Sequence, residues 1–519
     1  MDSVVWFKKD LRISDHQALR EALLHSRVFC LYILDPQQWQ QPDQSAQHYE
    51  FTLASLRDLY RQLKEIGGQL HLLTGSAEQV LSRIHALHPF ATLYSHEETG
   101  NNWSYQRDKQ VAKWCRQQGV SWREFAQFGV TRRLASRDQW QGLWERHMSE
   151  PILHLPAENM RQWWSHPALQ EVNIMSLKDL SLPPMNMQSR PTAGRQAALS
   201  TWQQFKDMGV RRYRGGISSP LSAPTACSRM SVYLSFGTVS MRELVQWTRA
   251  ELEQLTSANR DPKRLGLEGF LSRLYWHCHF IQKLESEPDI ENYNMHRGYD
   301  GLRETEFNVA LFDAWREGRT GWPLVDASLA MLKELGWLNF RMRALVVSVA
   351  SYPLWLHWRQ TGLWLAQQFL DYEPGIHWSQ MQMQSGTTGI NIPRIYNPIK
   401  QAKDHDPRGE FVRRWCPYLK RVPDTWIFEP WRMPLALQQK IGVVVGKDIP
   451  VPVVDYETAV REAKAKLFER RKNRAMSKTT QEVLERHGSR SKRNQRSQSR
   501  SVSRVSKTNQ LGFQFDEGH

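Results

Sequence analysis

At 519 residues the chain is long enough for two or three cores and for a buried cofactor cleft between helices. No stretch approaches the roughly 20 uninterrupted apolar residues of a membrane span; the best candidate, residues 344–358, is broken by Ser348, Ser351 and Pro353. The net charge of +16 suits a polyanionic partner without specifying one, and ten of those charges lie beyond residue 460, where 16 Lys and Arg face 6 Asp and Glu.

In chain order, residues 4–7, 28–34, 69–73, 91–95 and 121–125 predict strands, with helical patterns such as 48–64 and 77–87 between them. This alternation predicts a parallel sheet with helices on both faces. No G-x-G-x-x-G follows the first strand, so the ordinary dinucleotide fingerprint is absent. Residues 135–200 read as an irregular connector, broken by Pro151, Pro156, Pro167, Pro183, Pro184 and Pro191. From 193 to about 437 the pattern is helical, with apolar i, i+3, i+4 spacing through 241–255, 267–284, 327–335 and 341–356. Pro450 and Pro452 introduce one basic helix over 456–471. A Ser-, Arg-, Lys- and Gln-rich tail follows, expected to be largely disordered from about 472. The expected organisation is an α/β domain over 1–134, a connector over 135–200, an all-α domain over 201–445 and a basic extension over 446–519.

The five cysteines, Cys30, Cys115, Cys227, Cys278 and Cys416, are scattered and never form a C-x-x-C pair. That argues against a disulfide framework or a four-cysteine metal site, and no metal site is expected. The opening strand-like run replaces a secretory leader, so a cytoplasmic, reducing location is expected. Most of the 22 tryptophans are assigned to packing, with electron movement between rings as the functional alternative.

Three segments carry a family resemblance. The first is Val5-Trp6-Phe7-Lys8-Lys9-Asp10-Leu11-Arg12, followed by Asp15. The second is Cys227-Ser228-Arg229-Met230-Ser231, then Tyr233-Leu234-Ser235-Phe236-Gly237. The third runs from Gly321-Trp322-Pro323 through Trp337-Leu338-Asn339-Phe340-Arg341-Met342-Arg343 to Asp371-Tyr372-Glu373. Together they resemble the DNA photolyase and cryptochrome family. The resemblance implies an α/β antenna domain, an all-α FAD-binding domain, a possible second antenna chromophore of unknown identity, and DNA as partner, single- or double-stranded.

The resemblance also implies site residues. Cofactor-binding positions are Tyr213, Cys227, Ser228, Arg229, Met230, Ser231, Phe270, Arg343, Asp371, Glu373 and His377. The second segment would hold the phosphates at a helix start, where free N–H groups and the helix dipole attract anions. Arg343 would pair with Asp371 beside the flavin ring, as a buried guanidinium requires. His377, four positions after Glu373, would face the flavin and exchange a proton with it. Arg273, Trp276 and His377 are the candidate catalytic residues; Arg273, Trp276, Phe340, Arg341, Asn397 and Gln401 are the candidate DNA contacts.

Several positions depart from the family's pattern. Cys227 replaces a threonine, Glu373 an aspartate, and Arg273 the glutamate that hydrogen-bonds the damaged base in dimer-splitting photolyases. Arg273 can still donate to base carbonyls or phosphate. Phe340 and Ala344 stand where those enzymes hold Asn and Met, and the histidines of (6-4) photolyases are missing. Of the three-tryptophan electron chain, Trp358 keeps the middle position while Met381 and Thr305 occupy the inner and outer ones; Trp355, Trp364 and Trp378 are alternative routes.

The implied activity is light-driven repair of pyrimidine dimers by electron transfer from reduced FAD. The alternatives are a cryptochrome-like photoreceptor without repair turnover, and a nucleic-acid-binding protein with an empty flavin site. Near the end, Gln510, Leu511, Phe513 and Phe515 resemble the short motif by which bacterial repair proteins dock on the DNA sliding clamp.

Overall fold

The computed structural model describes residues 2–170, 174–255, 260–390, 394–471 and 475–488. Five strands, β1 (Asp2–Phe7), β2 (Arg27–Leu34), β3 (Leu70–Thr74), β4 (Thr92–His96) and β5 (Ser121–Phe125), form one sheet in the order β3-β2-β1-β4-β5. All four pairings are parallel, as strands separated by crossover helices must be. β1 is buried on both faces from Ser3 to Phe7, which explains its continuous rather than alternating apolar run. Of the flanking helices, Ala46–Glu65 covers one face and Ala77–Leu87 starts on a capping box between Ser76 and Gln79.

The loop after β1 is a polar joint. Asp10 Oδ1 accepts from the Lys8 backbone N–H at 2.6 Å, while its Oδ2 lies 2.7 Å from His96 Nδ1 and 2.9 Å from His16 Nε2. His16 Nδ1 accepts from the Leu19 backbone N–H, so the proton of the neutral ring sits on Nε2, facing Asp10. That tautomer offers no lone pair to a cation, and the three side chains act as a proton-sharing cluster.

The same loop joins the sheet to the helices. Arg12 Nη1 donates to the Gly237 carbonyl at 3.0 Å, and Asp15 accepts from Ser240 Oγ at 2.6 Å and from Arg242 Nη2 at 2.8 Å. Gly237 has φ +66°, and a Cβ there would collide with the Lys9 carbonyl. The first motif of the sequence is thus the joint between the two layers.

The helical part is organised around Pro262–Ser286, a helix whose Pro at the first turn follows an Asp261 cap. A Cβ at Gly266 would strike the Val210 carbonyl, and one at Gly375 would sit 2.6 Å from Ile281 Cα. These two glycines let segment 210–216 and the helix Pro374–Ser385 press against opposite stretches of the long helix. Phe340–Ser351 and Trp358–Gln368 complete this core, whose largest apolar cluster includes Trp315, Trp322, Trp358 and Trp378.

Three expectations change. The helix expected over 341–356 stops at Ser351, ahead of Pro353, which cannot continue a hydrogen-bonded helix. The connector carries a ten-residue helix, Trp140–Ser149, held by buried Trp140, Trp144 and Met148. The tail expected to be disordered from about 472 contains the helix Ala475–His487. Its averaged polar composition hides Val483, which joins the main apolar cluster, and His487, whose Nε2 lies 2.6 Å from Glu287. The clamp-like residues Gln510, Leu511, Phe513 and Phe515 lie outside the described residues.

Candidate flavin site

Arg343, on the helix Phe340–Ser351, meets Asp371, just before the helix Pro374–Ser385. Its Nη2 lies 2.8 Å from Oδ2 and 2.9 Å from Oδ1, while Nε donates to the Leu338 carbonyl. Asp371 Oδ2 also accepts from Ser231 Oγ at 2.7 Å, and its backbone carbonyl accepts from Ser235 Oγ at 3.2 Å. The second and third motifs are therefore tied together through one carboxylate. A small crevice lies between Arg229, Ser231, Trp337 and Asp371, with the Arg229 guanidinium 3.9 Å from the Trp337 ring.

The helix following this motif is short, Ser231–Ser235, so its dipole is small. The groups of this motif suited to an anion are instead the Ser228 hydroxyl, the backbone, and Arg229, which stands at φ +57° in the left-handed region, since the Ser231 hydroxyl already donates to Asp371. Met230 turns its side chain into the core, leaving only backbone to a ligand, and Phe270 packs in a buried ring cluster with Trp202, Phe205 and Tyr213. Burial pushes the Cys227 thiol up to about 12, so it is a neutral, weakly bonding group.

Glu373 and His377 lie one turn apart on buried backbone. Burial raises the Glu373 carboxyl to about 7, against the opposing pull of Lys9, and its Oε1 is buried without a hydrogen-bond partner. Burial lowers His377 to about 4, so its ring is neutral near pH 7. Because His377 Nε2 lies 2.9 Å from the Gly362 carbonyl, which can only accept, the proton is on Nε2 and Nδ1 is an acceptor. In any proton exchange expected of His377, Nδ1 is therefore the accepting atom.

Reading the sequence missed His277, next to Trp276. Burial lowers it to about 4 against the nearby Asp371 charge, and its Nδ1 is cut off from water without a partner. Helical spacing was the available signal, since 270, 273 and 277 share one face.

The candidate DNA contacts lie on three helices, Pro262–Ser286, Phe340–Ser351 and Pro398–His405, the last capped by Asn397. Arg273, exposed, is within hydrogen-bonding reach of the Tyr213 phenol. Trp276 lies edge-on to His279 at 4.8 Å, and Phe340 is exposed at its helix start. Arg341, next to it, is half-buried. Asn397 Oδ1 caps the helix Pro398–His405, accepting from Ile399 and Lys400 N–H, which leaves its amide N–H groups for other contacts. One turn on, Gln401 Oε1 is buried without a partner.

Met381 is buried and non-aromatic at the inner electron-transfer position. Trp358 lies 5.9 Å from Trp378, which lies 4.8 Å from His377. Trp364 instead meets Trp315, and Trp355 lies beneath the Arg303 guanidinium.

Residues 3–131 match the family model described as DNA photolyase, and residues 270–469 match that of the FAD binding domain of DNA photolyase. The chain belongs to the photolyase/cryptochrome family. Its relatives include Cryptochrome-1 of Aedes aegypti, 26% identical over 94% of this chain and 95% of that one. Deoxyribodipyrimidine photo-lyase of Alkalihalophilus pseudofirmus is 24% identical over 88% and 96%. An archaeal photolyase from Sulfolobus tokodaii, solved with two FAD molecules, superposes with a TM-score of 0.72 at 25% identity, over 90% of this chain and all of the other. Repair enzymes and cryptochromes thus both stand among the relatives.

The residues fit an FAD. The unpartnered Glu373 Oε1 and His277 Nδ1 would each cost about 1–3 kcal/mol if buried unsatisfied. A flavin, whose ring edge alternates donors and acceptors, would meet such atoms, while the Ser228 hydroxyl and the Arg229 guanidinium suit its diphosphate. Among the described residues no helix is long and apolar enough to cross a membrane.

Proposed function

We propose that this family member is a light-driven DNA repair enzyme acting on pyrimidine dimers. The observation that supports the reading is the Arg343–Asp371 pair together with the buried, unpartnered Glu373 Oε1 and His277 Nδ1, with Arg273 and Trp276 on the same helix as His277. When bound, FAD supplies light absorption and the electron that splits the dimer. Arg343 and Asp371 fix each other beside it, Glu373 and His277 orient its polar edge, and His377 Nδ1 accepts a proton-bearing group without releasing a proton of its own.

Extruding a damaged base pair costs a few kcal/mol, less than for intact DNA, and a stacking surface at Trp276 offsets it. Arg273 serves as donor to base carbonyls or phosphate where the related repair enzymes use a carboxylate. The exposed cations Arg394, Lys400 and Lys403 supply a salt-sensitive hold on the backbone. A second flavin-like chromophore, as in the Sulfolobus tokodaii protein, would sit in the sheet domain. The basic tail's motif at Gln510, Leu511, Phe513 and Phe515 would serve a sliding clamp.

Binding to oligonucleotides with and without one dimer, single- and double-stranded, tests the reading. The dimer should bind more tightly by about tenfold, and Trp276→Ala should erase that preference while leaving the nonspecific, salt-dependent part. Equal binding of damaged and undamaged strands would contradict it.

One observation favours a photoreceptor as second reading: the helix Ala475–His487 rests on Glu287, which caps the end of the long helix that carries Trp276. A light-dependent change in protease cleavage of this helix, without dimer loss, would support that reading over repair.

A further inference from the structure

Among the described residues no carboxylate pairs with the guanidinium of Arg303, a side chain that is only 1% exposed. The neighbouring acids are engaged elsewhere. Glu304 accepts from the Arg303 backbone N–H at 2.8 Å and has its other oxygen 3.7 Å from His357 Nε2, while Glu306 pairs with Lys466. Burial lowers Arg303 only to about 10, so it keeps its charge at neutral pH. Its Nε donates to the Ser351 carbonyl at 3.0 Å, but Nη2 is shut off from water without a hydrogen-bond partner.

Two aromatic donors stand beside this guanidinium. Its carbon lies 4.4 Å from the Trp355 ring centre and 5.6 Å from that of Tyr352. Trp355 Nε1 and the Tyr352 hydroxyl are likewise buried without partners. Trp355 stands at φ +52°, a left-handed conformation that a bulky residue rarely adopts and that persists only where the surroundings impose it. The helix Tyr456–Arg471 closes over the cluster: its Ala463 and Leu467 pack with Tyr299 and Tyr352, and Lys466 Nζ is 4.8 Å from the Trp355 ring.

Three buried donors around one unbalanced positive charge call for a partner that only accepts and carries negative charge. A water molecule fails on both counts, since its own hydrogens would face donors and the charge would stay uncompensated. A monatomic ion accepts from several directions at once and takes up less space than a tetrahedral oxyanion. We infer that Arg303, Tyr352 and Trp355 form a binding site for a monatomic anion, a halide such as chloride, beneath the helix Tyr456–Arg471. The anion ties this helix to the segments 299–303 and 352–355, and so fixes the start of the basic extension on the body. The site is separate from the flavin site and does not depend on it.

The test is thermal melting of the full-length protein across a chloride titration at constant ionic strength, with gluconate making up the difference. Chloride should raise the melting temperature by about 2 °C or more and then saturate. Arg303→Met should abolish the response, and Tyr352→Phe, which keeps the ring and removes one donor, should weaken the apparent affinity about tenfold. If Arg303→Met fails to fold, Tyr352→Phe decides alone. Crystals grown in bromide should show an anomalous peak within hydrogen-bonding reach of Arg303 Nη2 and the two aromatic donors. No chloride response, an undiminished affinity in Tyr352→Phe, or a water molecule against Arg303 Nη2 would each overturn the site. A response to phosphate and not to chloride would overturn it as a halide site.

Discussion

At the scale of single residues, the candidate site is governed by what burial does to ionisable groups. Glu373 is raised to about 7, so between its ordinary range and pH 7 the folded state holds a proton that the unfolded state has released. Folding stability therefore falls as pH rises through that window, by up to about 3 kcal/mol, and levels off above it. Glu373→Gln should remove Glu373's share of this slope in flavin-stripped protein, leaving that of Glu285 and Asp326, which thermal melts between pH 4.5 and 8 would show. An unchanged slope would mean that Glu373 is not the buried acid. Arg343→Ala should leave Asp371 buried without its cation, and flavin content after purification should drop about tenfold or more, the cost of a broken buried pair being several kcal/mol. None of these pKa shifts was legible in the sequence, because burial is a property of the fold. The pairing of Arg343 with Asp371 was legible through motif resemblance, but Ser231 as a third partner of the same carboxylate was not.

At the scale of elements, the central strands follow from continuous apolar runs buried on both faces, and the long helices from a periodicity that buries one face on a neighbour. The helix Ala77–Leu87 has the bounds that its spacing predicts, and Tyr456–Arg471 likewise. Two kinds of feature escaped. One is the short helix Ala475–His487, where a single buried valine and a carboxylate on another helix outweigh a polar composition. The other is close packing through Gly266 and Gly375, because no pattern along the chain says which glycine faces a backbone. Gly375→Ala should push Pro374–Ser385 off Ile281, costing about 1–3 kcal/mol of stability and displacing Glu373 and His377. A lower melting temperature together with weaker flavin retention would bear this out; a lower melting temperature alone would show that the two helices hold the site independently.

At the scale of the whole molecule, five buried histidines are neutral in the fold. His48, His71, His277 and His377 are lowered to about 4 and His96 to about 3, each chiefly by burial. Below their ordinary value near 6.5 the unfolded chain binds protons that the folded chain refuses, so each removes stability as pH falls toward 4, by an amount on the order of 1–3 kcal/mol. Glu373, Glu285 and Asp326 oppose this, their pKa values being raised to about 7, 7 and 6. With ten histidines lowered in all against seven carboxyls raised, the melting temperature should fall from pH 6.5 to pH 4. Constant stability across that range would show that the histidines are not held neutral.

The joint at Asp15, Ser240 and Arg242 carries the other whole-molecule consequence, since it locks the sheet to the helices around the flavin site. The family membership accounts for this architecture, while in the proposed repair reading the charge at Arg273 would leave lesion recognition to contacts of this chain's own. Loss of cyclobutane dimers from an oligonucleotide under blue light, with reduced, FAD-loaded protein and a dark control, tests the central claim most directly. The account predicts light-dependent dimer loss by the full chain. Intact dimers after illumination of protein whose flavin is bound and reduced would contradict it.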